Sequence, residues 1–241
     1  MSELLTVDRF GLAIDIVALT IEDATLKVLL VRRRTDPFAN TWALPGTLVR
    51  QTETLDETLL RSFGPHLSHE PNHLEQLYTH TSPKRDPRGS LISVSYLLIS
   101  TDPKRDIRLV PSEFDEPSLF PVATILEHRD PPLAFDHQEI VTTGVERARS
   151  KIEYTTLATS FLPPSFTIEQ LRGAYEAIWG FSLNPLRFRQ RVMSIEGFIV
   201  PFRTLRERPS RFVKGPASLL HPALLRESPR LDPDESLRRH T

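Results

Sequence analysis

Two apolar runs near the start of the chain, GLAIDIVALTI (11–21) and LKVLLVRRR (26–34), are rich in β-branched residues and separated only by the polar turn EDAT. Such runs predict two neighbouring strands. LEQLYTH (74–80) and LISVSYLLIS (91–100) predict two more, joined by the loop TSPKRDPRG. Between the pairs, TETLDETLLRSF places Leu55, Leu59 and Leu60 at helical spacing, with Thr52 or Thr54 available as a cap. A longer helix is predicted from Asp136 to about Lys151, with Asp136 as its N-cap and Ile140, Val141, Val145 and Ala148 turned inward. Strands interrupted by helices predict a mixed sheet packed between helical layers.

The pattern changes in the second half. FTIEQLRGAYEAIWG sets Thr167 and Gln170 at capping-box spacing, carries an apolar stripe of Leu171, Tyr175 and Ile178, and ends on Gly180. A short connection, FSL, leads to Asn184 as N-cap and Pro185 at the first helical position. This second helix is predicted to reach about Ile195, where Gly197 stops it. Its apolar residues Leu186, Phe188, Val192, Met193 and Ile195 are expected inside. Arg187, Gln190 and Arg191 then project outward, and Arg189 falls between the two faces. FIVPFR and RFVK are short β-like runs around the basic turn TLRERPS. Helix, short turn, basic helix and basic hairpin is the order of a winged helix-turn-helix.

Charge sharpens this division. Residues 1–155 carry 17 Lys+Arg against 23 Asp+Glu, whereas residues 156–215 carry 9 against 4. An acidic body joined to a basic module predicts two domains, 1–155 and 156–215, the second suited to a polyanion. The polar, proline-containing end of the remaining stretch, 216–241, predicts a disordered tail. The chain holds no cysteine, which excludes disulfides and thiolate metal sites. No apolar run approaches the ~20 residues that span a bilayer. The first residues lack the basic flank of a signal peptide, so a cytoplasmic protein is expected.

VLLVRRRTDPFANTWALPGTLVRQTETLDETLLR resembles the front half of a Nudix hydrolase domain, in which a strand, a Trp-x-Leu-Pro-Gly turn and a Glu-bearing helix build a nucleoside diphosphate site. With Glu53 as the first acid of the Nudix box, Thr47 stands where its leading glycine belongs and Arg61 on its arginine. The three later glutamates fall on Ser62, Pro65 and His66, and the closing glycine on Ser68. Mg²⁺ requires charged oxygen ligands, so this substitution predicts a chain that is not an enzyme and has no metal or cofactor. The alternative is an Mg²⁺-dependent pyrophosphatase for ADP-ribose or another nucleoside diphosphate, its metal site rebuilt from Glu113, Asp115 and Glu116.

The chain as a whole resembles the Nudix-related transcriptional regulators often called NrtR. PFANTWALPG, LEQLYT, KRDPRGSLISVSYL, LFPV, LAFDHQEI and KIEYTTLA carry the likeness beyond the box. The resemblance implies an α/β (α+β) two-domain fold, a Nudix-like α/β/α sandwich followed by a winged helix-turn-helix. It also implies a homodimeric repressor that binds a palindromic double-stranded DNA operator and is released by an ADP-ribose-like effector. NAD metabolism is the typical target.

Stacking and arginine chemistry nominate Arg32, Arg34, Phe38, Trp42, Asp86 and Arg88 for the ligand, the last two in a loop stiffened by Pro83 and Pro87. For DNA the candidates are Asn184, Arg187, Arg189, Gln190, Arg191, Arg206, Arg208, Arg211 and Lys214. A third class, a protein-docking adaptor, would use the basic module to hold an acidic partner.

Overall fold

β1 (Gly11–Glu22) is the axis of the first half. It pairs parallel with β6 (Leu91–Ile99) over its length and antiparallel at its end with β2 (Thr25–Arg32). Its opening residues pair antiparallel with β4 (Gly46–Leu48). β3 (Trp42–Ala43) and β7 (Ser118–Pro121) add to β2, and β5 (His73–His80) adds to β6. The computed structural model describes residues 10–63, 73–107, 114–115, 117–202 and 211–226. They form two compact units, Met1–Ala148 and Arg149–Thr241.

β1 is buried on both faces, which is why its sequence lacks clean alternation. Ile14, Ile16 and Ala18 share one core cluster with Leu59 and Phe63 of α1 (Leu55–Phe63). The alternate residues face α3 (His137–Tyr154), whose Ile140, Val141, Val145 and Ala148 are fully buried. A Cβ added at Gly144 would lie 2.7 Å from Val17, so α3 approaches β1 closely through this glycine. The α/β/α expectation is met.

α1 begins with a reciprocal cap. Thr54 Oγ1 accepts from the Glu57 amide at 3.2 Å, and the Glu57 carboxylate accepts from the Thr54 amide at 2.8 Å. Leu60, counted with Leu55 and Leu59 from helical spacing, points outward instead.

The second unit has the predicted helix-turn-helix with its hairpin. α4 (Ile168–Trp179) starts on the Thr167–Gln170 capping box and ends at Gly180 with φ 82°. α5 (Pro185–Ser194) starts on Asn184, whose side chain accepts from the Arg187 amide. β8 (Ile199–Pro201) and β9 (Phe212–Lys214) pair antiparallel. Tyr175 anchors this unit: its ring packs edge-on against Trp179 and Phe188, and its hydroxyl donates to the Ile152 carbonyl at 2.9 Å.

Two expectations need correction. Leu186 and Met193 are exposed, because Phe188 and Val192 alone fill the inner side of α5. The start of the expected disordered tail is packed. Leu220 and Leu224 are buried, and their amides donate to the Tyr154 and Glu153 carbonyls at 2.8 and 2.7 Å. The rest of that tail, 227–241, lies outside the described residues.

The two helical glycines should respond oppositely to alanine. Gly173→Ala meets nothing within 4 Å and should stabilise by about 1 kcal/mol through helix propensity. Gly144→Ala gains the same propensity but overpacks Val17 at about 1–3 kcal/mol, so a net loss of roughly 1 kcal/mol is expected. Urea unfolding of each variant reads the difference.

Candidate effector pocket and nucleic-acid interface

Asp15 is the one charged residue inside the apolar stretch of β1, and on that strand it faces α3. Its carboxylate accepts from Ser93 Oγ on β6 and lies 3.4 Å from the Arg85 guanidinium. Arg85 also donates twice to Asp136, at 2.7 and 2.9 Å. The Arg85 side chain is 3% exposed, and those of Asp15 and Asp136 are 7% and 12% exposed. Burial opposes ionisation of Asp136, but the hydrogen bonds and charge of Arg85 hold its carboxyl below the usual aspartate value. Asp136 holds the N-cap position expected of it, its carbonyl accepting from the Ile140 amide, while its carboxylate closes this ion cluster at the entry to α3.

His137 completes the floor. The Leu44 amide donates to Nδ1 at 2.9 Å, which puts the ring proton on Nε2, 3.5 Å from Asp15. Burial pushes its pKa down; Asp15 and Asp136 pull it up, and Arg85 and Arg33 add to the fall. Gly46 makes this floor possible, since a Cβ there would lie 2.3 Å from Asp15 Oδ1.

Above the floor is a cavity of about 450 Å³ lined by Arg33, Arg50, Arg61, Arg85 and Arg88 against Asp15 and Asp86. Its aromatic wall is Phe135, with the guanidinium groups of Arg33 and Arg88 over the ring at 4.9 and 5.8 Å. Asp86 fixes Arg88 through Nε and Nη2, and that contact holds the Asp86 carboxyl below its usual value. A guanidinium held on a carboxylate by one edge retains N–H donors for a second anion.

Of the residues nominated from sequence, Asp86 and Arg88 line this cavity. Arg32, Arg34 and Trp42 do not, and Arg33 lines it in their place. Arg32 Nε donates to the Asn40 carbonyl, Arg34 pairs with Asp115 at 2.6 Å, and Trp42 packs against Phe120. Phe38 stacks edge-on behind Phe135 at 4.8 Å and backs the wall without lining it. Sequence reasoning did not nominate Asp15, Phe135 or His137, although Asp15 is the single charge in the run 11–21 and was a visible signal.

The Nudix-box positions show no carboxylate array. Ser62 is buried with its hydroxyl unpartnered among the described residues, and Pro65, His66 and Ser68 lie outside them. Glu53 is held by Arg61 at 2.7 Å, which lowers its pKa. Asp115, from the acidic loop, is held by Arg34, while Glu113 and Glu116 lie outside the described residues. Among the described residues no group of three or more Asp, Glu, His or Cys side chains is arranged to hold a metal ion, and the acids of the floor are taken by Arg85, so the donors present do not fit Mg²⁺.

On α5, Arg187, Arg189 and Gln190 are exposed, while Arg191 is half-buried and donates to the Ala223 carbonyl. Arg189, placed between faces by counting, is on the open side. Lys214 on β9 is exposed, and Arg211 is tied to Ser165. Arg206 and Arg208 lie outside the described residues.

Burial lowers the pKa of His137 and of the half-buried His80 below their ordinary value of 6.5, whereas an unfolded chain takes up their protons near that value. The unfolded state therefore binds more protons on acidification, and stability falls as pH drops through that value. Urea titrations at about pH 7.5 and 5.5 should show this loss, at up to about 1.4 kcal/mol per pH unit for one proton. His137→Gln should reduce the slope, leaving the part due to His80.

Comparison with known proteins places both halves. Residues 10–143 match the NUDIX domain and residues 158–212 the NrtR DNA-binding winged helix domain. The "ADPR responsive transcriptional repressor NtrR" of Acinetobacter baylyi is 30% identical over 76% of this chain and 72% of its own length. An ADP-ribose pyrophosphatase of Methanocaldococcus jannaschii is 33% identical over 48% of this chain and 63% of its own. The crystal structure of Shewanella oneidensis NrtR complexed with a 27mer DNA superposes with a TM-score of 0.67 at 30% identity, covering 85% of this chain and 93% of that one. With a Nudix domain and a DNA-binding winged helix in one chain, the protein belongs to the NrtR family of Nudix-related transcriptional regulators.

Proposed function

We propose that this protein is a DNA-binding repressor whose first unit senses ADP-ribose or a closely related diphosphate ester without hydrolysing it. The exposed basic face of α5, presented by a helix-turn-helix with a hairpin beside it, carries the DNA-binding half of this reading. Arg187, Arg189, Gln190 and Lys214 supply contacts to DNA, where phosphates set position and base edges set sequence. Arg191 and Arg211 are partly engaged within the protein and act at the rim.

The arginine-lined cavity carries the sensing half. A diphosphate would lie against Arg33, Arg50, Arg61 and Arg88, and an aromatic or ribose group against Phe135. Arg32, Arg34 and Trp42 are structural in this reading. Without a carboxylate array, charge compensation comes from guanidinium groups and not from Mg²⁺. The A. baylyi relative is named for its response to ADP-ribose, which makes that compound the first effector to assign here.

The two halves communicate through α3. Its first turn follows Asp136, the partner of Arg85, and its last residues belong to the second unit. Effector binding that shifts Asp136 moves a continuous helix in a homodimer, and a coupling of about 1–3 kcal/mol suffices for regulation.

DNA from the gene's own upstream region, followed by fluorescence anisotropy, should bind with affinity that falls steeply with salt. Arg187→Ala and Arg189→Ala should each weaken it and reduce the log–log salt slope by about one for each phosphate left without its cation. Failure to bind any DNA at low salt overturns the repressor reading.

ADP-ribose titrated into the complex should release the DNA equally well in EDTA and in magnesium, with no AMP formed. Arg88→Ala should raise the concentration required by about tenfold or more, as expected for one charged hydrogen bond. AMP formation dependent on magnesium and Glu53 would restore the pyrophosphatase.

A further inference from the structure

The open face of α5 carries more than arginines. Leu186 is 64% exposed and Met193 52%, and Gln190 between them is exposed as well. Positions 186, 190 and 193 form a single stripe on a helix. The opposite side carries Phe188 and Val192, which are 5% and 0% exposed. At about 100° per residue, Arg187 falls on one side of the stripe and Arg189 on the other.

Two large apolar side chains held in water beside a glutamine are not explained by the packing of this unit. Flanking guanidinium groups disfavour a second copy of the same basic helix and favour a polyanion. The groove of a duplex offers apolar ground as well as charge, because thymine presents its 5-methyl group in the major groove. Adenine presents an acceptor and a donor there, N7 and N6, which match the amide of glutamine. The stripe also begins at the second residue of the helix, and in helix-turn-helix docking the N-terminal residues of the second helix reach base edges.

We infer that Leu186, Gln190 and Met193 are specificity-determining residues that read A·T pairs in the major groove. Gln190 pairs with an adenine edge, and Leu186 and Met193 pack on thymine methyl groups to either side. Arg187 and Arg189 hold phosphates or guanines at the margins. This inference rests on the DNA-binding reading above and adds the chemistry of the sequence read.

A duplex library randomised over one operator length, selected on the full chain, supplies the site. Each thymine of the selected half-site is then replaced by deoxyuridine, which removes the methyl and leaves base pairing intact. At two positions binding should fall about fourfold, the equivalent of one buried carbon group. Leu186→Ala should abolish the effect at one of them and Met193→Ala at the other. Gln190→Ala should lose the preference for one adenine by roughly fivefold to hundredfold. All three side chains are exposed, and circular dichroism checks that the variants fold. Selected sites indifferent to deoxyuridine at every thymine, or composed of G·C pairs alone, overturn this inference and leave a DNA-binding protein. No enrichment of any sequence overturns it together with the repressor reading.

Discussion

A buried guanidinium between two carboxylates holds the sensor unit together. Arg85 comes from the loop between β5 and β6, Asp15 from the central strand and Asp136 from the residue before α3. Each charge taken from water is costly, and the cluster is tolerable only because every member has a partner. Ser93 and His137 add partners for Asp15, so the floor is a closed network. Removing one member leaves a buried charge unpaired, at about 3–5 kcal/mol. The cluster fixes three segments at one point, and the cavity stands on that point. Gly46 follows from the same constraint, since any larger residue would collide with Asp15.

How much of this was legible in the sequence depended on the range of the interaction. Thr167 with Gln170, Asn184 before Pro185, and Gly180 after α4 are local devices, and each is where its spacing put it. The strands were legible because β-branched runs bounded by turn residues admit few other structures. The arginine that lines the cavity was not. Arg32 ends β2, Arg33 makes an isolated bridge to Phe114, and Arg34 lies beyond it. Alternation alone could not say which of the three turns toward the loop carrying Asp86 and Arg88. Phe135 was hidden for the opposite reason, because an aromatic between Ala134 and Asp136 resembles core until its partners are known. Leu186 and Met193 were assigned inward on hydrophobicity alone, a rule that fails on surfaces built to bind.

The lost box acids and the retained arginines belong to one electrostatic argument. A cavity that holds a metal must present converging carboxylates, and such a site repels a bare diphosphate until the cation arrives. Here Glu53 is neutralised by Arg61, Asp86 by Arg88, and the lining remains rich in guanidinium groups. The cavity is therefore attractive to an anion without an ion in attendance. Binding and release of an intact ligand are what a sensor requires.

Packed elements do not deform smoothly; they change between discrete arrangements. Asp136 is both a wall of the charged floor and the last residue before α3. At the far end of that helix, the Ile152, Glu153 and Tyr154 carbonyls accept hydrogen bonds from partners in the second unit. An anion that draws Arg85 even slightly away from Asp136 weakens the contact that fixes the start of the helix. Gly144 keeps α3 close against Val17 of β1. A modest redistribution of one guanidinium's hydrogen bonds would thus act directly on the start of α3.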